Sequence, residues 1–411
     1  MLTLFVTSEE FFSLTININN LNKKTMKKLL LFAAVAVAFG ASAQTLTRTW
    51  KVETADALPK GDCRQGVGLN GKIYVNNKAD QKVYVVDKDG VSATTLPGGR
   101  NCGIGHDQAG NLIVSNAKFP NTWGVDSAFI VYKPQAPTEA VALSFTNELT
   151  AIGRCDFLGT AKGDFGGDGE LLLVGGAGSG IAKFITVGGE TSADDCFIAS
   201  ADNKINVTNN VTVVRPFMDG NVEKYLYVTR NGAPAIIVAD DQGNFTTEKT
   251  MAWENRGACN GSDIFVLGGK KYVVYPTLPN YNDGFAIACI DGELAEGVKE
   301  YPAVATKEVE LPTLNNGSQT NWVNAEVVSD TEAIIYQYVP GAYTAAYSFK
   351  LPAEQTGIND VNAANDVKVR KVYENGQVYI IKGDVKYNVM GAQVKPQIRN
   401  RPHKMTQRSK R

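Results

Sequence analysis

Residues 60–90 read KGDCRQGVGLNGKIYVNNKADQKVYVVDKDG, and this stretch decides the fold. A small and polar lead ends at the Asn70-Gly71 turn. A β-rich run, Lys72–Val75, follows, and a second run, VYVV, closes on Asp89-Gly90. Apolar residues alternate with polar ones between Asn-Gly and Asp-Gly turns. That pattern belongs to antiparallel hairpins joined into a meander.

The same phrase returns along the chain. It recurs as GRNCGIGHDQAGNLIVSNAK from Gly99, IGRCDFLGTAKGDFGGDGELLLV from Ile152 and VVRPFMDGNVEKYLYV from Val213. Further copies are ENRGACNGSDIFVLGGKKYVVYPT from Glu254 and SQTNWVNAEVVSDTEAIIYQY from Ser318. A spacing of roughly 40 to 60 residues matches the four-stranded blade of a β-propeller. The expected class is therefore all-β, with about six four-stranded blades between Thr45 and Leu351. The segment Leu46–Val52, LTRTWKV, can pair with the last blade and close the ring, which removes an exposed edge. The repeats are uneven, so five or seven blades stay open, and a stack of two β-sandwiches is the alternative fold.

Composition excludes several classes. Charged residues are 20%, aromatics 9% and the formal net charge is -1, so nothing calls for nucleic acid or an acidic membrane surface. The 40 glycines suit a turn-rich all-β chain. Residues 26–43, MKKLLLFAAVAVAFGASA, have the charged lead, short apolar run and small-x-small end of a secretory signal peptide. Residues 1–25 then read as a mis-assigned N-terminal extension. No other stretch is long and apolar enough for a transmembrane helix. The expected location is secreted: periplasm, outer surface or extracellular.

The repeats place Arg beside Cys. Cys63, Cys102, Cys155 and Cys259 hold similar places in different copies, whereas Cys196 and Cys289 fit the register less well. Equivalent positions of different blades sit in different sheets, and a disulfide needs Cα atoms within about 7 Å. The expectation is small buried thiols, not bridges. Arg64, Arg100, Arg154, Arg215 and Arg256 lie within a few residues of the repeated position. They can ring one mouth of the central channel, where the planar guanidinium fork suits carboxylate or phosphate. The alternative is that each Arg pairs with a neighbouring blade's Asp and fixes the joint.

Other candidates are more local. In GDFGGDGELLLV, from Gly163 to Val174, Asp164, Asp168 and Gly169 resemble the calcium loop of integrin-type propeller repeats. Gly166 and Leu172 stand where that loop has oxygen ligands, so a plain Gly-rich hairpin is the alternative. Calcium is the one cofactor this loop would take; otherwise none is expected. Trp123 and Tyr281 fall in loop-like stretches and are candidates for stacking on a ligand, as is Tyr343 in VPGAYTAAY. Trp50, Trp253 and Trp322 divide between that role and the core. No catalytic set is identified: His106 and His403 are the two histidines, and His106 in GIGHDQAGN reads as a structural, hydrogen-bonded residue beside a turn.

The text changes after residue 352. Residues 353–365 read as a linker and 366–395 as a small three-stranded β module with Asn375-Gly376 and Gly383-Asp384 turns. The stretch NGQVYIIKGDVKYNVMGAQV resembles the C-terminal sorting modules of type IX secretion in Bacteroidetes. That resemblance implies passage through outer-membrane secretion machinery. It covers about the last tenth of the chain, and residues 396–411 depart from it as a basic tail of disordered composition. The body resembles the uncharacterised secreted β-propeller proteins of gut-type Bacteroidetes in repeat style, which transfers no active-site residue. The functional expectation is a non-enzymatic propeller that binds a glycan or protein at one face. The alternative is a hydrolase or lyase acting on a polysaccharide or lactone, with calcium.

Overall fold

The computed structural model describes residues 2–4, 14–16, 44–97, 103–115, 127–133, 136–145, 157–175, 180–197, 213–228, 233–240, 245–252, 261–277, 282–312, 321–352, 369–374, 377–382 and 385–388. The chain divides into two units, 1–353 and 354–411. In the first, a short strand pair, Leu2–Leu4 with Leu14–Ile16, precedes six antiparallel four-stranded sheets that form the blades of a β-propeller. In the second, Val369–Glu374, Gln377–Lys382 and Val385–Asn388 form a three-stranded antiparallel sheet.

Blade 1 runs through Cys63–Leu69, Lys72–Asn77, Lys82–Asp87 and Gly90–Pro97, and blade 2 through Ile104–His106, Leu112–Ser115, Ser127–Lys133 and Ala136–Phe145. Blade 3 holds Lys162–Gly163, Gly169–Gly175, Gly180–Val187 and Glu190–Phe197, and blade 4 Val213–Asp219, Val222–Val228, Ala235–Ala239 and Phe245–Thr250. Blade 5 comprises Asp263–Leu267, Lys270–Pro276, Phe285–Cys289 and Ala303–Lys307. Blade 6 takes Trp322–Ser329, Glu332–Val339 and Tyr343–Lys350 from late in the chain and its fourth strand, Thr45–Glu53, from early in it. The pairing runs from Tyr343 opposite Glu53 to Lys350 opposite Thr45, so the ring closes non-covalently. Without it, the backbone edge of Tyr343–Lys350 would stand open to any other strand.

The turns follow from local chemistry. Asn70-Gly71 has φ values of 53° and 78°, the left-handed pair that a two-residue hairpin needs to match strand twist. Gly268-Gly269 repeats this in blade 5, at 57° and 74°.

Glycine also sets how closely blades approach. Gly66 and Gly68 give the first strand of blade 1 two bare positions on one side. A Cβ on Gly68 would lie 1.9 Å from Cγ of Tyr336, and one on Gly66 2.7 Å from Cβ of Tyr338. The two tyrosines of blade 6 therefore lie flat on blade 1. Tyr338 donates its hydroxyl to the Cys63 carbonyl at 2.6 Å, and Tyr336 accepts from the Gly71 amide at 2.7 Å while donating to Glu326 at 2.5 Å.

The core lies between blades. Phe129 meets Phe165 and Phe184 edge to face across blades 2 and 3, at centroid distances of 5.6 and 5.2 Å. Phe285 and Tyr347 do the same across blades 5 and 6, at 5.1 Å. Each such pair contributes about 0.5–1.5 kcal/mol beyond the area it buries.

Two sequence readings meet the structure here. Cys63 is a buried free thiol, pushed up to about 12 by desolvation and by Asp62 and Asp80, and Cys289 is also free. Cys102, Cys155 and Cys259 lie outside the described residues. Tyr343 is not a loop aromatic: it begins a strand, is fully buried, and donates its hydroxyl to Asp283 at 2.5 Å. Lys307 donates to the same carboxylate at 2.7 Å, and the amides of Glu310 and Leu311 donate at 2.9 and 2.8 Å. Burial would lift Asp283, but these donors hold it below the usual carboxylate range.

Candidate functional site

The first strand of each blade carries a polar residue, and most of these reach a neighbouring blade. Gln65 of blade 1 donates to the Leu158 carbonyl at 2.7 Å and accepts from the Ile104 and Leu158 amides at 3.1 and 3.0 Å, tying blades 1, 2 and 3. His106 of blade 2 donates through Nδ1 to the Asp107 carbonyl at 3.0 Å, and Nε2 meets the Thr160 hydroxyl at 3.4 Å. A carbonyl only accepts, so the proton sits on Nδ1. Lys162 pairs with Glu223 between blades 3 and 4. Asp263 of blade 5 accepts from the Ala325 amide of blade 6 at 3.0 Å, and Asn324 exchanges two 2.7 Å hydrogen bonds with the Gly68 backbone of blade 1.

Blades 4 and 5 meet through Arg215 and Asp263. Nε of Arg215 lies 3.7 Å from Oδ1 of Asp263, and both side chains are 5% exposed. That separation is too long for a hydrogen bond. Burial pushes the guanidinium down to about 10 against the pull of Asp263, which leaves it charged at neutral pH. Nε and Nη1 of Arg215 have no hydrogen-bond partner among the described residues, and neither has Nε1 of buried Trp322.

Arg215 and Trp322 line one cavity with Gln65, His106, Thr160 and Asn324, together with backbone of the innermost strands. It has room for about one water-sized molecule. Glycine keeps its walls close: a Cβ on Gly105 would lie 2.5 Å from the Gly159 carbonyl, and one on Gly159 2.9 Å from the Val214 carbonyl.

The strand directions sort the connections into two sets. One end of the ring carries hairpins such as Asn70-Gly71 and Gly268-Gly269. The other is where Phe145 and Lys162, Phe197 and Val213, Thr250 and Asp263, and Lys307 and Trp322 are joined by much longer stretches. Arg215 and Trp322 stand near the starts of their strands, towards this second end.

Of the two arginines singled out by the repeat that fall among the described residues, Arg64 and Arg215, Arg215 is in the cavity wall. Arg64 is partly buried, with its guanidinium 5.5 Å from the Phe157 ring centroid. Arg100, Arg154 and Arg256, with Trp123 and Tyr281, lie outside the described residues. In the chain they fall between strand ends that belong to the long-connection end. Asp164 accepts from the Gly166 amide at 3.0 Å and from Asn111 Nδ2 at 3.1 Å, and Asp168 accepts from the Gly188 amide at 2.6 Å. Among the described residues, no group of three or more His, Cys, Asp or Glu is placed to hold a metal ion. Nor is any helix there long and apolar enough to cross a membrane.

Gln65, Asp263 and Asn324 are blade-joining positions that the repeat pattern does not single out. Their signal is a polar residue set into or just ahead of an apolar run, as in CRQGVGL, SDIFVL and WVNAEV.

No protein-family model matches the sequence, and no curated protein matches it. Among solved structures, the chain is similar to a subtype N10 neuraminidase-like protein of A/little yellow-shouldered bat/Guatemala/060/2010, at 11% identity and TM-score 0.42, covering 75% of this chain and 99% of that one. A structural-genomics protein of unknown function from Bacteroides thetaiotaomicron aligns at 12% identity and TM-score 0.42, covering 74% and 76%. AofleA from Arthrobotrys oligospora aligns at 10% identity and TM-score 0.40, covering 87% and 93%.

Proposed function

We propose that this chain is an exported, non-enzymatic β-propeller that binds an acidic glycan at the long-connection end of the ring. The observation that carries this reading is the buried Arg215 guanidinium, two of whose nitrogens have no partner among the described residues, in the wall of a small cavity. Burying an unpaired donor costs about 1–3 kcal/mol, more for a charged group, so an acceptor supplied by a ligand recovers that cost. Connecting loops carried on a rigid scaffold are where binding residues concentrate. The five candidates Arg100, Arg154, Arg256, Trp123 and Tyr281 fall in connections of that end. The leader at 26–43 and the C-terminal module support export, with the outer-membrane secretion machinery as the route.

Thermal unfolding of the chain against acidic and neutral polysaccharides, with and without calcium, tests this. A ligand that binds the folded state raises the midpoint by mass action. A shift with polygalacturonate and none with dextran is expected. A shift with calcium alone would instead favour a metal-dependent hydrolase built on the Asp164–Asp168 loop, and a flat panel would remove acidic glycans as the ligand.

A further inference from the structure

We infer that the cavity beside Arg215 is a receptor for a single carboxylate group, the anchoring acid of a larger ligand. This deepens the reading above and rests on it for the side of approach.

Size sets the first limit. Room for about one water-sized molecule admits a single oxygen of a carboxylate, and neither the whole group nor a sugar ring. The rest of the ligand would therefore lie outside, at the mouth.

Polarity sets the second. Thr160 and His106 face each other at 3.4 Å, and the lining side-chain atoms without partners among the described residues are donors. Gln65 already has both ends engaged by backbone, as does Asn324. Asp263, outside the lining but 3.7 Å from Arg215, turns one oxygen to the Ile264 amide at 2.9 Å and the other to the Ala325 amide at 3.0 Å. Against these stand Nε and Nη1 of Arg215 and Nε1 of Trp322, three donor nitrogens without acceptors among the described residues. A group that fits must accept hydrogen bonds. Two of the three donor nitrogens belong to a cation, which favours an anionic acceptor such as a carboxylate oxygen.

The probe is acetate, titrated against the full chain at constant ionic strength. Acetamide serves as the uncharged isostere and chloride as the simple anion. Isothermal titration and thermal unfolding are the readouts. Acetate is expected to bind and raise the midpoint, with acetamide and chloride leaving it unchanged. Arg215→Met is expected to weaken acetate at least ~10-fold, because a hydrogen bond to a charged group contributes about 1.5–3 kcal/mol. Should that variant fail to fold, Trp322→Phe keeps the ring and removes one donor; a loss of about 5-fold is expected.

No acetate binding overturns the inference, as does an equal response to acetamide, which would mark a site for water or any small acceptor. An equal response to chloride would reassign the site to inorganic anions and overturn the carboxylate. Polygalacturonate separates the two levels. Binding that survives Arg215→Met would leave the glycan-binding face standing and remove this site from it. Acetate binding without any polysaccharide response would keep the site and remove the glycan.

Discussion

Arg215 and Asp263 face each other across the joint between blades 4 and 5 at 3.7 Å, both almost wholly buried, with no hydrogen bond between them. Asp263 has two backbone amides on its carboxylate, whereas Arg215 has two nitrogens with no partner among the described residues. The pair is unequal, and the inequality predicts unequal variants. Asp263→Asn leaves a buried guanidinium without a counter-charge and should cost about 3–5 kcal/mol. Arg215→Met removes the unpartnered donors and leaves Asp263 with its amides, so it should cost about 1 kcal/mol or less. Denaturant unfolding of the two variants checks the order, and the reverse order would show that Asp263 depends on Arg215 for its charge.

Gly68 predicts a packing failure. Its added Cβ would lie 1.9 Å from the Tyr336 ring, and that ring is fixed by hydrogen bonds to Gly71 and Glu326. Gly68→Ala should destabilise by about 3 kcal/mol, the upper end for forcing atoms into a filled core. Gly61 is exposed, and a Cβ added there would meet nothing within 4 Å, so Gly61→Ala should change stability by less than about 0.5 kcal/mol. Thermal midpoints of the two proteins measure the contrast.

Ring closure predicts a requirement for the early strand. Deleting Thr45–Glu53 leaves blade 6 with three strands and opens the backbone edge of Tyr343–Lys350. The expected result is oligomers or insoluble protein, because an open edge pairs with another chain. Size-exclusion chromatography gives the answer. A monomer with an unchanged unfolding midpoint would show that the fourth strand is dispensable.

Asp219 predicts part of the acid sensitivity. Lys271 and Lys224 hydrogen bond its carboxylate, at 2.8 and 2.9 Å, and hold it down at about 2. A folded-state value below the unfolded one near 4 means that the unfolded chain takes up the proton first as pH falls. The contribution is therefore complete above about pH 4 and is lost as pH falls from about 4 towards 2. Asp219→Asn should lower stability at neutral pH and show a shallower fall below pH 4, with the gap to the parent closing near pH 2. Unfolding midpoints across this range test it, and parallel curves would refute the assignment.

The repeat is legible in the sequence because blade hairpins are local. Asn70-Gly71 and Gly268-Gly269 sit between runs whose alternation shows in a few residues, and the pairing of Leu46–Val52 follows from the need to cover an edge. Tyr343 reads as a loop residue because Pro340 and Gly341 signal a turn. They do form one, with Gly341 at φ 73°, but the strand starts two residues later and carries Tyr343 into the core. Arg215 is visible as one of the repeated arginines. Its place in the cavity wall is not, since the other arginines share its motif.

The sequence by itself determined the all-β class, the blade repeat and the residue types at each blade's start. These depend on turns and alternation within short segments. Only the tertiary structure decided which polar residues meet. Gln65 reaches Leu158, Asn324 reaches Gly68 and Arg215 faces Asp263, in each case across blades. Such pairings depend on ring closure, on blade spacing set by bare glycines against tyrosine rings, and on burial that leaves certain donors without acceptors among the described residues. Those are properties of the assembled centre, and no single repeat carries them.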